Sequence, residues 1–111
     1  MKKIAVVSAL CVLASLVGAH ADTIRAVELG CHQITSFSGA TGFPTIDTGA
    51  TFVFGSVEGN SVRFRDDGVS PTASVGVLIQ SNATFYLSEN LSNVQFVPTT
   101  GTATINYCDY R

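Results

Sequence analysis

The chain has 111 residues, of which 46% are hydrophobic and only 13% charged, with 6 Lys and Arg against 8 Asp and Glu. Cations this few and this scattered exclude the basic stripe a nucleic-acid binder needs and the polybasic patch that holds a protein on an anionic membrane surface. A chain of this size makes one small domain with a modest core, in the range where a cross-link often supplements burial.

The N-terminal residues read as an export signal. Lys2 and Lys3 precede an uncharged apolar run from Ile4 to Val17, and Ala19-His20-Ala21 leads into the first acidic residue, Asp22. That charged, apolar, small-residue order is the pattern of a secretory leader, and the run is short for a membrane span. The expectation is a signal peptide over residues 1–21 and a single domain over residues 22–111, secreted or periplasmic, with no stable membrane insertion after cleavage. Without Lys2 and Lys3 the mature chain keeps Arg25, Arg63, Arg65 and Arg111 against 8 acidic residues, a net charge of −4. Cys11 leaves with the leader, so Cys31 and Cys108 remain. An oxidising compartment predicts that they form one disulfide closing most of the domain, against the alternatives of two buried thiols or one reactive thiol.

Along the mature chain, short runs of strand-forming residues alternate with Gly, Pro, Asn, Asp and Ser, and no window carries a helical apolar stripe. Ile24 to Ile34 predicts the first strand, with Val27, Leu29 and Cys31 as its inward set. Ser36 to Ala50 reads as a turn-rich connection with a short strand near Phe43 to Ile46. Thr51 to Glu58 and Val62 to Arg65, separated by Gly59-Asn60-Ser61, predict a hairpin with Val62 and Phe64 on one face and Arg63 and Arg65 on the other. Val75 to Ile79, Ala83 to Leu87, Asn93 to Val97 and Ala103 to Tyr110 complete the set. In the last run Cys108 falls on the less apolar face, which places the disulfide near the rim, joining the first and last strands. The same run would offer an open edge for association unless the first strand covers it. About seven strands make the fold class all-β, a small antiparallel β-sandwich of jelly-roll-like or Greek-key type.

The most distinctive stretch is Val57-Glu58-Gly59-Asn60-Ser61-Val62-Arg63-Phe64-Arg65-Asp66-Asp67-Gly68, followed by Pro71-Thr72-Ala73-Ser74-Val75-Gly76 and later by Leu91-Ser92-Asn93-Val94-Gln95-Phe96. In these residues the sequence resembles the small β-sandwich proteins found among the structural-region gene products of tailed phages. The resemblance covers roughly residues 50–110 and implies a non-enzymatic, virion-associated or surface-associated module. The leader and the two cysteines depart from that pattern and point to a member adapted to export. Arg63 and Arg65 can pair with Asp66, Asp67 or Glu58 as a structural surface cluster. Read functionally, Arg63, Arg65, Asp66 and Asp67 form a polar contact patch on a loop.

Catalytic arrangements fare poorly. The mature chain has one histidine, His32, which reads as an exposed or turn-capping side chain rather than a base. Asp66 and Asp67 are adjacent and suit a turn better than a glycosidase pair or a calcium loop. A zinc site built from Cys31, His32 and Cys108 lacks a fourth ligand. Most of the phenylalanines are expected in the core, with Phe43, beside Pro44, the best candidate for an exposed aromatic contact, and Tyr107 and Tyr110 next, as an interface rim. The expectation is therefore an exported binding or structural module with no enzymatic activity, cofactor or metal. Its partner would be a protein or a second copy, or a glycan if it is a secreted adhesin or carbohydrate-binding module. A periplasmic inhibitor belongs to the same class, and a small hydrolase is the remaining rival.

Overall fold

The computed structural model describes residues 25–111; the expected leader with its cleavage point, and Cys11, lie outside them. Seven strands follow in chain order: β1 (Glu28–Phe37), β2 (Phe52–Gly59), β3 (Val62–Arg65), β4 (Val77–Ile79), β5 (Thr84–Leu87), β6 (Gln95–Pro98) and β7 (Ala103–Tyr110). A short 3-10 turn, Leu91–Asn93, precedes β6. All strand pairs are antiparallel and form two sheets, ordered β1-β7-β2-β5 and β4-β3-β6. Among the described residues no helix is long and apolar enough to cross a membrane. The all-β sandwich expected from turn spacing is the fold observed.

The period-2 pattern of the strands sets the two faces of each sheet. In β7, Ala103, Ile105, Tyr107 and Asp109 are buried and the residues between them half-exposed, so this strand runs through the centre of the larger sheet. Val53 and Val57 of β2, Phe85 of β5 and Ile34 of β1 join it from the same sheet. Val62, Ile79 and Phe96 answer from the smaller one, with Val94 at the edge of the cluster. Gly55 faces inward between Phe85 and Tyr107; a Cβ there would lie 2.6 Å from the Phe85 ring and 2.7 Å from the Asn106 carbonyl oxygen. The missing side chain is what lets the Phe85 ring lie against β2.

The expected β2–β3 hairpin is not formed. β2 pairs with β7 and β5, whereas β3 pairs with β4 and β6, so Gly59-Asn60-Ser61 is a corner that carries the chain from one sheet to the other. Val57 and Val62 are both fully buried, and the corner lets each face the core from its own sheet. Gly59 turns it with φ of +82°, a conformation that costs glycine little. Neighbouring loops hold it: Asn60 Nδ2 donates to the Thr102 carbonyl at 2.9 Å, Ser81 N–H to Ser61 Oγ at 3.0 Å, and Thr99 N–H to the Ser61 carbonyl at 2.9 Å. A Gly-Asn-Ser turn serves a corner as well as a hairpin, so local chemistry does not separate the two.

Two further expectations are corrected, and the condition set on the β7 edge is met. β7 has no open edge, because β1 and β2 cover both sides of it; the free edges of the larger sheet belong to β1 and β5. Phe43 to Ile46 makes no strand, and only Thr41 forms an isolated bridge, to Phe96. Cys31 is exposed rather than inward-facing. A register shift between Glu28 and Gly30 resets the alternation, so that Gly30, His32 and Ile34 turn toward the core and Cys31 and Gln33 away.

Candidate functional site

The outer face of the larger sheet carries two ordered rows of side chains. In the first, Cys31, Cys108, Phe54 and Tyr86 are successive cross-strand neighbours from β1 to β5. Cys31 and Cys108 are joined as a disulfide, so neither is available as a thiolate ligand or a nucleophile. Phe54 and Tyr86 are 47% and 59% exposed, and Phe52 packs beside Tyr86 and stacks on Tyr110 with ring centroids 4.9 Å apart. The second row runs Gln33, Asn106, Ser56 and Thr84 in the same strand order. Gln33 Nε2 donates to Asn106 Oδ1 at 2.8 Å, and Asn106 Nδ2 donates to Glu58 Oε1 at 3.0 Å. Residues of both rows, Phe54 and Asn106 among them, line an open depression of about 600 Å³ that also reaches His32, Gly55 and Tyr107.

On the opposite side of the same sheet the 38–51 connection is tied down by polar groups. Tyr107 donates its hydroxyl hydrogen to the Thr45 carbonyl at 2.6 Å, and Phe43 packs against the Tyr107 and Phe96 rings at 4.7 and 5.2 Å. Burial raises the Tyr107 hydroxyl above the ordinary tyrosine range, so the group stays a donor. Asp47 N–H donates to Asp109 Oδ2 at 2.6 Å, and His32 Nε2 lies 2.8 Å from Asp47 Oδ2 and 3.7 Å from Asp109 Oδ2. The hydrogen bond with His32 holds the Asp47 carboxyl below the usual carboxylate range against the opposing effect of burial. Asp109 is fully buried, and its Oδ1 has no hydrogen-bond partner among the described residues.

These contacts redistribute the residues singled out in the sequence. Tyr107 is a core residue, 2% exposed, and Phe43 is a partly buried plug; neither is the exposed aromatic contact expected. His32 is half-buried and engaged by Asp47 rather than free at a strand end. Arg65 pairs with Asp67 through two guanidinium hydrogen bonds, one of them Nε to Oδ1 at 3.1 Å. Arg63 binds no carboxylate among the described residues. Its Nε and Nη1 donate to the carbonyls of Ala73 and Gly76, each at 3.0 Å, and so hold the Pro71-to-Gly76 loop against β3. Asp66 is exposed beside them. The Arg-x-Arg-Asp-Asp segment thus spends most of its polar capacity on its own loop.

Phe54, Tyr86, Asp47 and Asp109 were not singled out by sequence reasoning. Two of them left a trace. Phe54 lies out of phase with Val53 and Val57, and Asp109 falls in phase with Ala103, Ile105 and Tyr107, which marks an outward aromatic and a buried carboxylate. No family model, curated protein or solved structure matches the chain.

Proposed function

We propose that this protein is an exported, non-enzymatic recognition module that binds carbohydrate on the outer face of its larger sheet. The observation that supports the reading is an open depression lined by exposed Phe54 and by the Gln33–Asn106 amide pair, with exposed Tyr86 as the cross-strand neighbour of Phe54 and Glu58 extending the amide chain beyond the depression. Sugar rings present C–H faces that lie on aromatic rings and hydroxyls that exchange hydrogen bonds with amides and carboxylates, and both kinds of group stand here on rigid strands. The disulfide fixes β1 to β7 within the same face and so keeps the rows in register. The test is a glycan array followed by calorimetric titration of the bound sugars, comparing wild type with Phe54→Ala and Tyr86→Ala. Binding that is lost in both variants while they melt with the wild type supports the reading. A silent array, or sugars bound equally well by both variants, overturns it.

A second reading, assembly with a protein partner in the manner of the virion-associated modules the sequence resembles, draws support from a different surface. β4 is a free edge of the smaller sheet, and Val75, Val77 and Leu78 on and before it are all exposed. Sedimentation equilibrium at high concentration, with wild type and Val77→Lys, tests self-assembly there. A wild-type mass above that of a monomer, reduced by the substitution, supports it, and a monomer throughout rejects it.

A further inference from the structure

We propose that His32, Asp47 and Asp109 bind one divalent transition-metal ion, with zinc the best fit, and that the ion fastens the 38–51 connection to the sandwich. The three donors come from three separate segments, β1, the connection and β7, and meet at one point on the inner side of the larger sheet. His32 Nε2 stands 2.8 Å from Asp47 Oδ2 and 3.7 Å from Asp109 Oδ2. A tetrahedral zinc ion with bonds of about 2.0–2.1 Å separates neighbouring ligands by roughly 3.3 Å. These two spacings straddle that value, and all three donor atoms lie within 4.8 Å of one another.

Asp109 supplies the independent observation. Its side chain is wholly buried, its carboxylate reaches into this cluster, and Oδ1 has no hydrogen-bond partner among the described residues. Buried carboxylates are ordinarily paired, hydrogen-bonded or coordinated to a metal. Asp109 can hold the Asp47 amide with Oδ2 and still offer lone pairs to a cation. Gly30, the β1 partner of Asp109, keeps the space open: a Cβ there would stand 2.5 Å from Asp47 Oδ2 and 3.3 Å from His32 Nε2.

The donor set chooses among ions. One imidazole nitrogen with two carboxylates suits zinc and its first-row neighbours, whereas calcium and magnesium take nearly all-oxygen shells. His32 and Asp47 side chains are 25% and 35% exposed, which leaves an entry path and room for water as the fourth ligand. The alternative is that the His32–Asp47 hydrogen bond alone joins these groups, and the experiment separates the two.

Natively exported protein with its disulfide intact is stripped with a chelator and titrated with zinc chloride by calorimetry, and with Co2+ by visible absorption. The expected result is saturable one-to-one uptake, a rise in melting temperature on adding zinc, and the visible bands of tetrahedral Co2+. Asp47→Ala removes a half-exposed ligand on a connection and is expected to weaken zinc by at least about tenfold. His32→Gln and Asp109→Asn are expected to do the same, and if Asp109→Asn fails to fold the other two variants and the Co2+ spectrum still decide. Absence of one-to-one uptake overturns the proposal. Uptake of unchanged affinity in both Asp47→Ala and His32→Gln overturns it equally.

Discussion

Cys31 and Cys108 are direct cross-strand partners on β1 and β7, with Cα atoms 4.0 Å apart and a sequence separation of 77 residues. The bond joins the edge strand that opens the domain to the central strand that closes it. It lies on the outward face, in one row with Phe54 and Tyr86. The core therefore owes no side-chain volume to sulfur, and the link acts on the chain as a long closure.

Removing the bond should expose the size of that closure. By the chain-entropy relation, a loop of this length contributes about 4 kcal/mol. The Cys31→Ser/Cys108→Ser double variant is expected to lose stability of that order in urea melts, and the wild type to approach it under reducing conditions. A loss well below about 1 kcal/mol would mean that the denatured chain keeps its ends together without sulfur.

Gly55→Ala should be poorly tolerated despite adding one methyl group. The new Cβ meets the Phe85 ring and the Asn106 carbonyl oxygen at contacts no relaxed side chain shows, and the backbone oxygen has nowhere to go. Overpacking of this kind costs about 1–3 kcal/mol. Thermal unfolding of the variant checks it, with Ser56→Ala on the opposite face as the benign control.

Tyr107→Phe keeps the ring and deletes the hydrogen bond to Thr45. The Thr45 carbonyl is left unpaired, at a cost of about 1–2 kcal/mol. The more telling readout is local: amide exchange should rise between Thr41 and Asp47 while β2 and β7 remain protected. Uniform loss of protection would show instead that the hydroxyl supports the whole sandwich.

The Arg65–Asp67 pair gives the loop after β3 a pH dependence of definite sign. The hydrogen bond from Arg65, and then the Val69 N–H at 3.2 Å, lower the Asp67 carboxyl from its ordinary value. A depressed folded value means a contribution present above the unfolded carboxyl range, near about pH 4, and lost as the pH falls through the folded value. The difference in melting temperature between wild type and Asp67→Asn should therefore be largest at neutral pH and disappear in acid. Both side chains are well exposed, so high salt should shrink it too.

The class of fold, the approximate strand positions and the linking of Cys31 to Cys108 were legible in the sequence because each rests on local chemistry: alternation, turn residues and an even cysteine count. Val62 and Phe64 against Arg63 and Arg65 were assigned to the right faces for the same reason. The hairpin expected at Gly59-Asn60-Ser61 failed, since one turn composition serves a return within a sheet and a corner between sheets. Phe43 and Tyr107 were placed outside because a lone aromatic beside proline or near a terminus carries no mark of the partner that buries it.

By itself the sequence determined that this chain makes two-faced strands joined by tight turns, because backbone geometry alternates every side chain whatever the partner. Only the tertiary structure decided that β7 lies between β1 and β2, that Phe54 and Tyr86 share an outer row, and that His32, Asp47 and Asp109 converge. Those outcomes depend on which strands find one another across long separations, and that choice is made by the burial of the whole core rather than by any short run of residues.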